Sequence, residues 1–142
     1  MYEFTELLEN VKTFNKERAR QQIIRFIQQK IGEAKAKGAV IGLSGGVDSA
    51  LTLALTSEAI GSENITVLIM PHTSLTPKED VEDARRLAEK LGVENVIEIP
   101  IDDFSQLYRS KLQEKGIELD KYSHGNLLAR TRMTLLYAVA NQ

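Results

Sequence analysis

Residues 39–60 read as a strand that runs through a glycine loop into a helix, and no other stretch of the chain restricts its fold as far. Ala39-Val40-Ile41-Gly42-Leu43 is strand-like, Ser44-Gly45-Gly46-Val47-Asp48-Ser49 is the loop, and Ala50-Leu51-Thr52-Leu53-Ala54-Leu55 is helix-like. Adjacent glycines allow positive φ and let the backbone approach a ligand closely. A helix that starts at such a loop aims free N–H groups and the positive end of its dipole at it. Strand, glycine loop and helix N-terminus together form a phosphate cradle. The Gly-Lys-Ser/Thr ending of the common nucleotide loop is missing, and no lysine stands in the loop. Asp48 stands among the anion-binding groups instead, with Ser44 and Ser49 nearby. A carboxylate facing phosphates makes sense where Mg²⁺ bridges the two.

The rest of the chain alternates in kind. Phe4, Leu7, Leu8, Val11 and Phe14 recur at helical spacing, as do Ile23, Ile24, Ile27, Ile31 and Ala34, with Gly38 as the expected stop. The helix after the loop should close at Gly61. Ile65 to Met70 is a second strand, ended by Pro71. Thr76, Pro77 and Glu79 predict a helix start, with Thr76 as N-cap and Val81, Ala84, Leu87, Ala88 and Leu91 on the inner face. Val96 to Ile99 is a third strand. Helices over about 103–115 and about 125–141 complete the pattern. Strands alternating with helices imply parallel βαβ units with right-handed crossovers.

Length and composition suit one globular domain: 142 residues, 42% hydrophobic and 27% charged. The formal charge of −2 carries no basic stripe for nucleic acid. The absence of cysteine excludes a disulfide framework and a thiolate metal site. No run is long enough to span a membrane, and Met1-Tyr2-Glu3-Phe4 does not open a secretory signal. These features lead to the expectation of a cytoplasmic enzyme domain.

Two segments stay ambiguous on physics alone. The loop Pro71-His72-Thr73-Ser74-Leu75 follows the second strand at the sheet edge where open α/β folds bind ligands. It is either a wall of the nucleotide site or a plain crossover. In the last helix Asn126, Arg130 and Thr134 form one polar stripe, and Arg132 faces elsewhere. Leu127, Leu128, Met133, Leu135, Leu136 and Val139 cover most of the remainder, which predicts burial on several sides. Its two arginines then either pair with carboxylates of the same chain or serve a ligand. The acids Glu79, Asp80, Glu82 and Asp83 read as a solvated helix face, and His124 as a surface residue near a helix start.

Ser-Gly-Gly-x-Asp-Ser resembles the loop of the ATP pyrophosphatases, which split ATP between its α- and β-phosphates. Gly125-Asn126-x-x-Ala129-Arg130-x-Arg132-Met133 narrows the likeness, since it resembles the signature of the NH3-dependent NAD synthetases. The resemblance implies a three-layer α/β/α fold with a parallel, Rossmann-like sheet of the adenine nucleotide α-hydrolase type. It also implies that Gly42, Leu43, Ser44, Gly45, Gly46, Val47, Asp48, Ser49 and Met70 bind ATP. Asp48 is then the Mg²⁺ ligand, and Arg130 and Asn126 contact deamido-NAD⁺. The last helix is expected in a homodimer interface. The implied reaction is adenylation of the nicotinate carboxylate, with loss of pyrophosphate, then displacement of AMP by ammonia. No side chain of this chain is assigned as a general base.

The likeness extends over nearly all 142 residues but only over the N-terminal part of the family's catalytic domain. The expected organisation is one unit: N-terminal helices over 1–37, a nucleotide-binding core over 39–142, and no C-terminal half. In the family's sheet order the first strand is central, so here it is expected as an exposed edge. It would then be covered by a second copy, by residues 1–14 or by the last helix. The rival functions are another amidating ATP pyrophosphatase such as GMP synthetase, and a non-catalytic nucleotide-binding or dimerisation fragment.

Overall fold

The computed structural model of the protein describes residues 13–142. The helical pattern over Phe4, Leu7, Leu8 and Val11 lies outside the described residues, and Phe14 is exposed. In chain order the elements are α1 (Lys16–Ala34), β1 (Ala39–Gly42), α2 (Val47–Ile60), a 3-10 turn (Ser62–Asn64), β2 (Ile65–Ile69), α3 (Lys78–Lys90), β3 (Asn95–Glu98), α4 (Asp102–Gln113) and α5 (Lys121–Ala140). The three strands are parallel in the order β1-β2-β3. Ile41 pairs with Val67, and Val67 with Val96.

Period-two alternation sends the strand side chains to two different layers. Ile41, Ile65, Val67 and Ile69 pack with Leu53 of α2 and with Ala84 and Ala88 of α3. Val40 and Leu68 face the other way, onto Leu128, Leu135, Leu136 and Val139 of α5. The result is the expected three-layer α/β/α arrangement, with α1 laid on α2. Leu53, Ile65, Val67, Leu68 and Ile101 are fully buried, and each stabilises the fold by about 1.5–3 kcal/mol relative to exposure.

Several boundaries differ from the sequence pattern for identifiable reasons. Helix α1 ends at Lys35, whose φ of +52° is left-handed, so Gly38 is not the stop. Gly38 is needed for close approach: a Cβ there would lie 2.1 Å from the Asn64 carbonyl oxygen. Thr76 does not cap α3; its hydroxyl accepts from the His72 amide (3.0 Å), and Pro77 takes the cap position. Helix α5 starts at Lys121, where Asp120 caps the Ser123 amide (2.7 Å), so Gly125 lies inside it. Helix α5 is also less buried than its composition predicts. Leu128 and Thr131 are buried, but Met133 is 52% and Tyr137 73% exposed. The apolar girth therefore covers one side of the sheet and leaves another side to solvent.

Strand β1 stands at the sheet edge, as expected, and among the described residues no strand pairs with its outer side. Helix α5 lies over the face of β1, so it does not substitute for a pairing strand. No helix among the described residues is long and apolar enough to cross a membrane.

Candidate functional site

The glycine loop sits where β1 ends and α2 begins, as the sequence requires. Its shape is held by serine hydroxyls. Ser49 Oγ donates to the Gly46 carbonyl (2.9 Å) and accepts from the Ser44 amide (3.2 Å). Ser44 Oγ lies 3.1 Å from Ser49 Oγ and accepts weakly from the Gly46 amide (3.3 Å). Gly46 is the cap residue of α2 and brings no side chain to it, so the helix N-terminus stays open to a ligand. Gly45 has a φ of +84°, and an added Cβ would lie 2.4 Å from the Asp80 carbonyl oxygen. The loop is thereby seated on the first turn of α3.

That contact brings Asp80 to the site. A cleft of about 390 Å³ opens beside the loop, lined by Gly42, Leu43, Ser44, Met70, Asp80 and Arg132 among others. The turn after β2 supplies Pro71, Leu75, Thr76 and Pro77 to its rim. The turn is thus one wall of this cleft. Asp80 leaves the solvated face on which the sequence placed it, while Glu79, Glu82 and Asp83 remain exposed.

Arg132 is the cation of the cleft. Its Nε donates to the Met70 carbonyl (3.0 Å), and its two Nη nitrogens have no partner among the described residues. Burial lowers its pKa from the ordinary value, yet guanidinium stays charged. Leu136, one turn further along α5, packs over Gly42, where a Cβ would approach it to 3.3 Å. The missing side chain at Gly42 thus lets α5 come close enough for Arg132 to reach the cleft. On sequence alone Arg132 was left between a carboxylate partner and a ligand; its offset from the Asn126, Arg130 and Thr134 stripe was the signal that it turns inward. That stripe is exposed, and Arg130 Nη1 makes one weak contact, 3.6 Å, with Met133 Sδ. Neither arginine pairs with a carboxylate among the described residues.

Asp48 lies in the first turn of α2, exposed, and its carboxylate has no partner among the described residues. No group of three or more metal-ligating side chains occurs among them. Asn126 and Arg130 lie outside the cleft lining, on the open side of α5.

His124 is not a plain surface residue. It is half-buried, meets Ser105 Oγ through Nε2 at 2.8 Å, and packs edge-on against His72 with ring centroids 6.0 Å apart. Burial, then Arg109, then His72 hold its pKa below the ordinary histidine value. The Asp102 carboxylate accepts from the Thr73 hydroxyl and amide (3.1 Å) and stands 3.4 Å from His72 Nδ1. The Thr73 hydroxyl first, then its amide and His72, hold the Asp102 carboxyl below its ordinary value against partial desolvation.

The family model for NAD synthase matches residues 19–142. The chain belongs to the NAD synthase family. It is 51% identical over 125 residues to the NH3-dependent NAD⁺ synthetase of Staphylothermus marinus, covering 88% of this chain and 44% of that protein. The NH3-dependent NAD synthetase structure from Campylobacter jejuni superposes with a TM-score of 0.80 at 34% identity, over 92% of this chain and 55% of that one. The NMN synthetase structure from Francisella tularensis gives a TM-score of 0.81 at 31% identity, over 91% and 51%. The chain spans about half the length of the curated NAD synthetase relatives it matches. The parallel sheet and flanking helices are therefore the family fold, carried here by its first three strands.

Proposed function

We propose that the chain is the ATP-binding portion of an ammonia-dependent NAD⁺ synthetase, a ligase that amidates deamido-NAD⁺ through an adenylated carboxylate. The observation that carries this reading is the lysine-free glycine loop opening into a cleft whose cation is Arg132. The names of its relatives support the substrate assignment. In this reading residues 42–49 and Met70 bind ATP. Open amides of the loop and the α2 dipole stabilise the pyrophosphate as it leaves. Arg132 supplies the charge that a loop lysine supplies elsewhere. Arg130 and Asn126 contact deamido-NAD⁺ from the exposed side of α5. The bare apolar side of α5, with Met133 and Tyr137, pairs two copies as a homodimer.

A Mg²⁺ ion fits the residues present. Such ions take one or two carboxylates plus substrate phosphates and keep their waters, so no dedicated cage is required. Asp48 offers a carboxylate at the loop that has no partner among the described residues, and Asp80 lines the adjoining cleft. Bound there, the ion would neutralise charge on the phosphate oxygens. The protein's own share is positioning and charge stabilisation, and no side-chain nucleophile is needed. The substrates are those of a cytoplasmic enzyme.

The likeness to the Francisella protein favours one second reading, amidation of a mononucleotide by the same chemistry. Titration calorimetry with ATP and Mg²⁺, with deamido-NAD⁺ or its mononucleotide counterpart added second, tests both. The reading expects Mg²⁺-dependent ATP binding that Asp48→Ala abolishes, with the dinucleotide preferred. Unchanged affinity in that variant sinks the metal role of Asp48, and preference for the mononucleotide selects the second reading.

A further inference from the structure

Five side chains behind the cleft tie two of its walls together. Asp102, at the start of α4, holds the turn over residues 71–77 through Thr73 and His72. Ser105, almost one turn further along α4 and buried, holds α5 through His124. His124 in turn packs against His72, closing a ring of turn, α4 and α5. None of these five residues lines the cleft, yet each secures an element that does. The turn contributes Pro71, Leu75, Thr76 and Pro77, and α5 contributes Arg132 about two turns after His124.

We propose that this ring is a clasp that positions the nucleotide cleft, with Asp102 fixing the turn and His124 fixing the α5 wall, and that protonation of His124 loosens it and weakens nucleotide binding. The inference rests on reading the cleft as the ATP site. Its physical basis is the set of groups around His124. Arg109 and Ser105 face it from α4, and His72 faces it from the turn. The carboxylate of the ring, Asp102, is already engaged by Thr73 and His72. On α5 itself, the Asp120 carboxylate is engaged by the Ser123 amide. An imidazolium at His124 would thus face Arg109 and His72, and no carboxylate among the described residues is paired with it.

The sign follows from the direction of the shift. A histidine whose pKa is depressed in the fold favours the fold when neutral. Its contribution is complete above the ordinary titration range and is lost as pH falls through the folded-state value. Asp102, held low, stays ionised across that window.

Both histidines of the chain lie in the clasp, so their imidazole NMR signals report on it directly. MgATP titrations of the 142-residue chain at about pH 8 and about pH 5.5 should show a fall in affinity roughly tenfold larger for wild type than for His124→Gln, which cannot titrate. A second readout needs no nucleotide: Asp102→Ala should speed amide exchange at Thr73, Leu75 and Thr76 by about tenfold or more, with Asp102→Asn restoring part of the protection. If wild type binds no MgATP at any pH, the nucleotide reading fails while the exchange measurement still judges the clasp. Equal pH slopes in wild type and His124→Gln, or unchanged exchange at Thr73 in Asp102→Ala, would overturn it.

Discussion

Gly45 rests directly on the backbone of Asp80, so close that a Cβ atom at Gly45 would lie 2.4 Å from the carbonyl oxygen and 2.7 Å from Cα. One glycine therefore does two things. It gives the loop its positive φ, and it docks the loop onto the first turn of α3. The docking turns Asp80 from a surface acid into part of the cleft and sets the cleft width between loop and turn.

Gly45→Ala should accordingly fail on both counts. The left-handed backbone and the clash with another backbone together should cost about 2 kcal/mol or more. Chemical denaturation would read the loss in stability, and ATP titration the loss in affinity. Gly92→Ala is the control. That glycine also has a positive φ, +71°, but an added Cβ would meet nothing within 4 Å, so only the backbone strain remains. Equal losses in the two variants would show that the contact with Asp80 contributes nothing.

The two arginines of α5 should separate in function. Arg132→Ala removes a charged donor from the cleft and should weaken ATP binding by about 1.5–3 kcal/mol, roughly ten- to hundredfold. Arg130→Ala should weaken binding of deamido-NAD⁺ more than binding of ATP, because Arg130 lies outside the cleft lining. Parallel titrations of both variants with both nucleotides check this, and the same loss of ATP affinity in each would refute the division.

The fold was legible because each signal was local. Alternation in Val40-Ile41 and the run over Ile65 to Ile69 gave the strands, and Gly61 and Gly92 marked helix ends where φ is positive. The loop was legible because backbone shape, set by glycines, leaves a direct trace in sequence. Asp80 and His124 were misjudged, and the partner of Arg132 stayed open, because their surroundings depend on contacts across long separations. Arg132 bonds a carbonyl 62 positions away, and His124 bonds a serine 19 positions away. Helical periodicity assigns a face, but what lies opposite that face is a tertiary fact. The apolar girth of α5 misled for a related reason, since composition signals burial without saying against which partner.

Ser57 offers a test of packing alone. Its hydroxyl is buried in α2 and has no hydrogen-bond partner among the described residues. Leaving such a group unsatisfied costs about 1–3 kcal/mol, and alanine is also the better helix former. Ser57→Ala should raise the melting temperature by several degrees without altering nucleotide affinity. A lower melting temperature would reveal that the hydroxyl has a partner in solution.

The outer side of β1 yields the most local prediction. The Leu43 amide donates to the Leu68 carbonyl (2.9 Å), so that amide points toward β2. Along a parallel strand the amides alternate in direction, which turns those of Ile41 and Leu43 inward and those of Val40 and Gly42 outward. Among the described residues no strand receives the outward pair. The strand is apolar and carries no lysine or proline, the devices by which natural edges resist pairing. In the isolated chain Val40 and Gly42 should exchange at least about a hundredfold faster than Ile41 and Leu43. They should become protected when a further strand joins that edge, from a second copy or from a longer form of the protein. Equal slow exchange at all four amides in a monodisperse monomer would mean that the edge is already paired, and residues 1–12 would then be the segment to delete next.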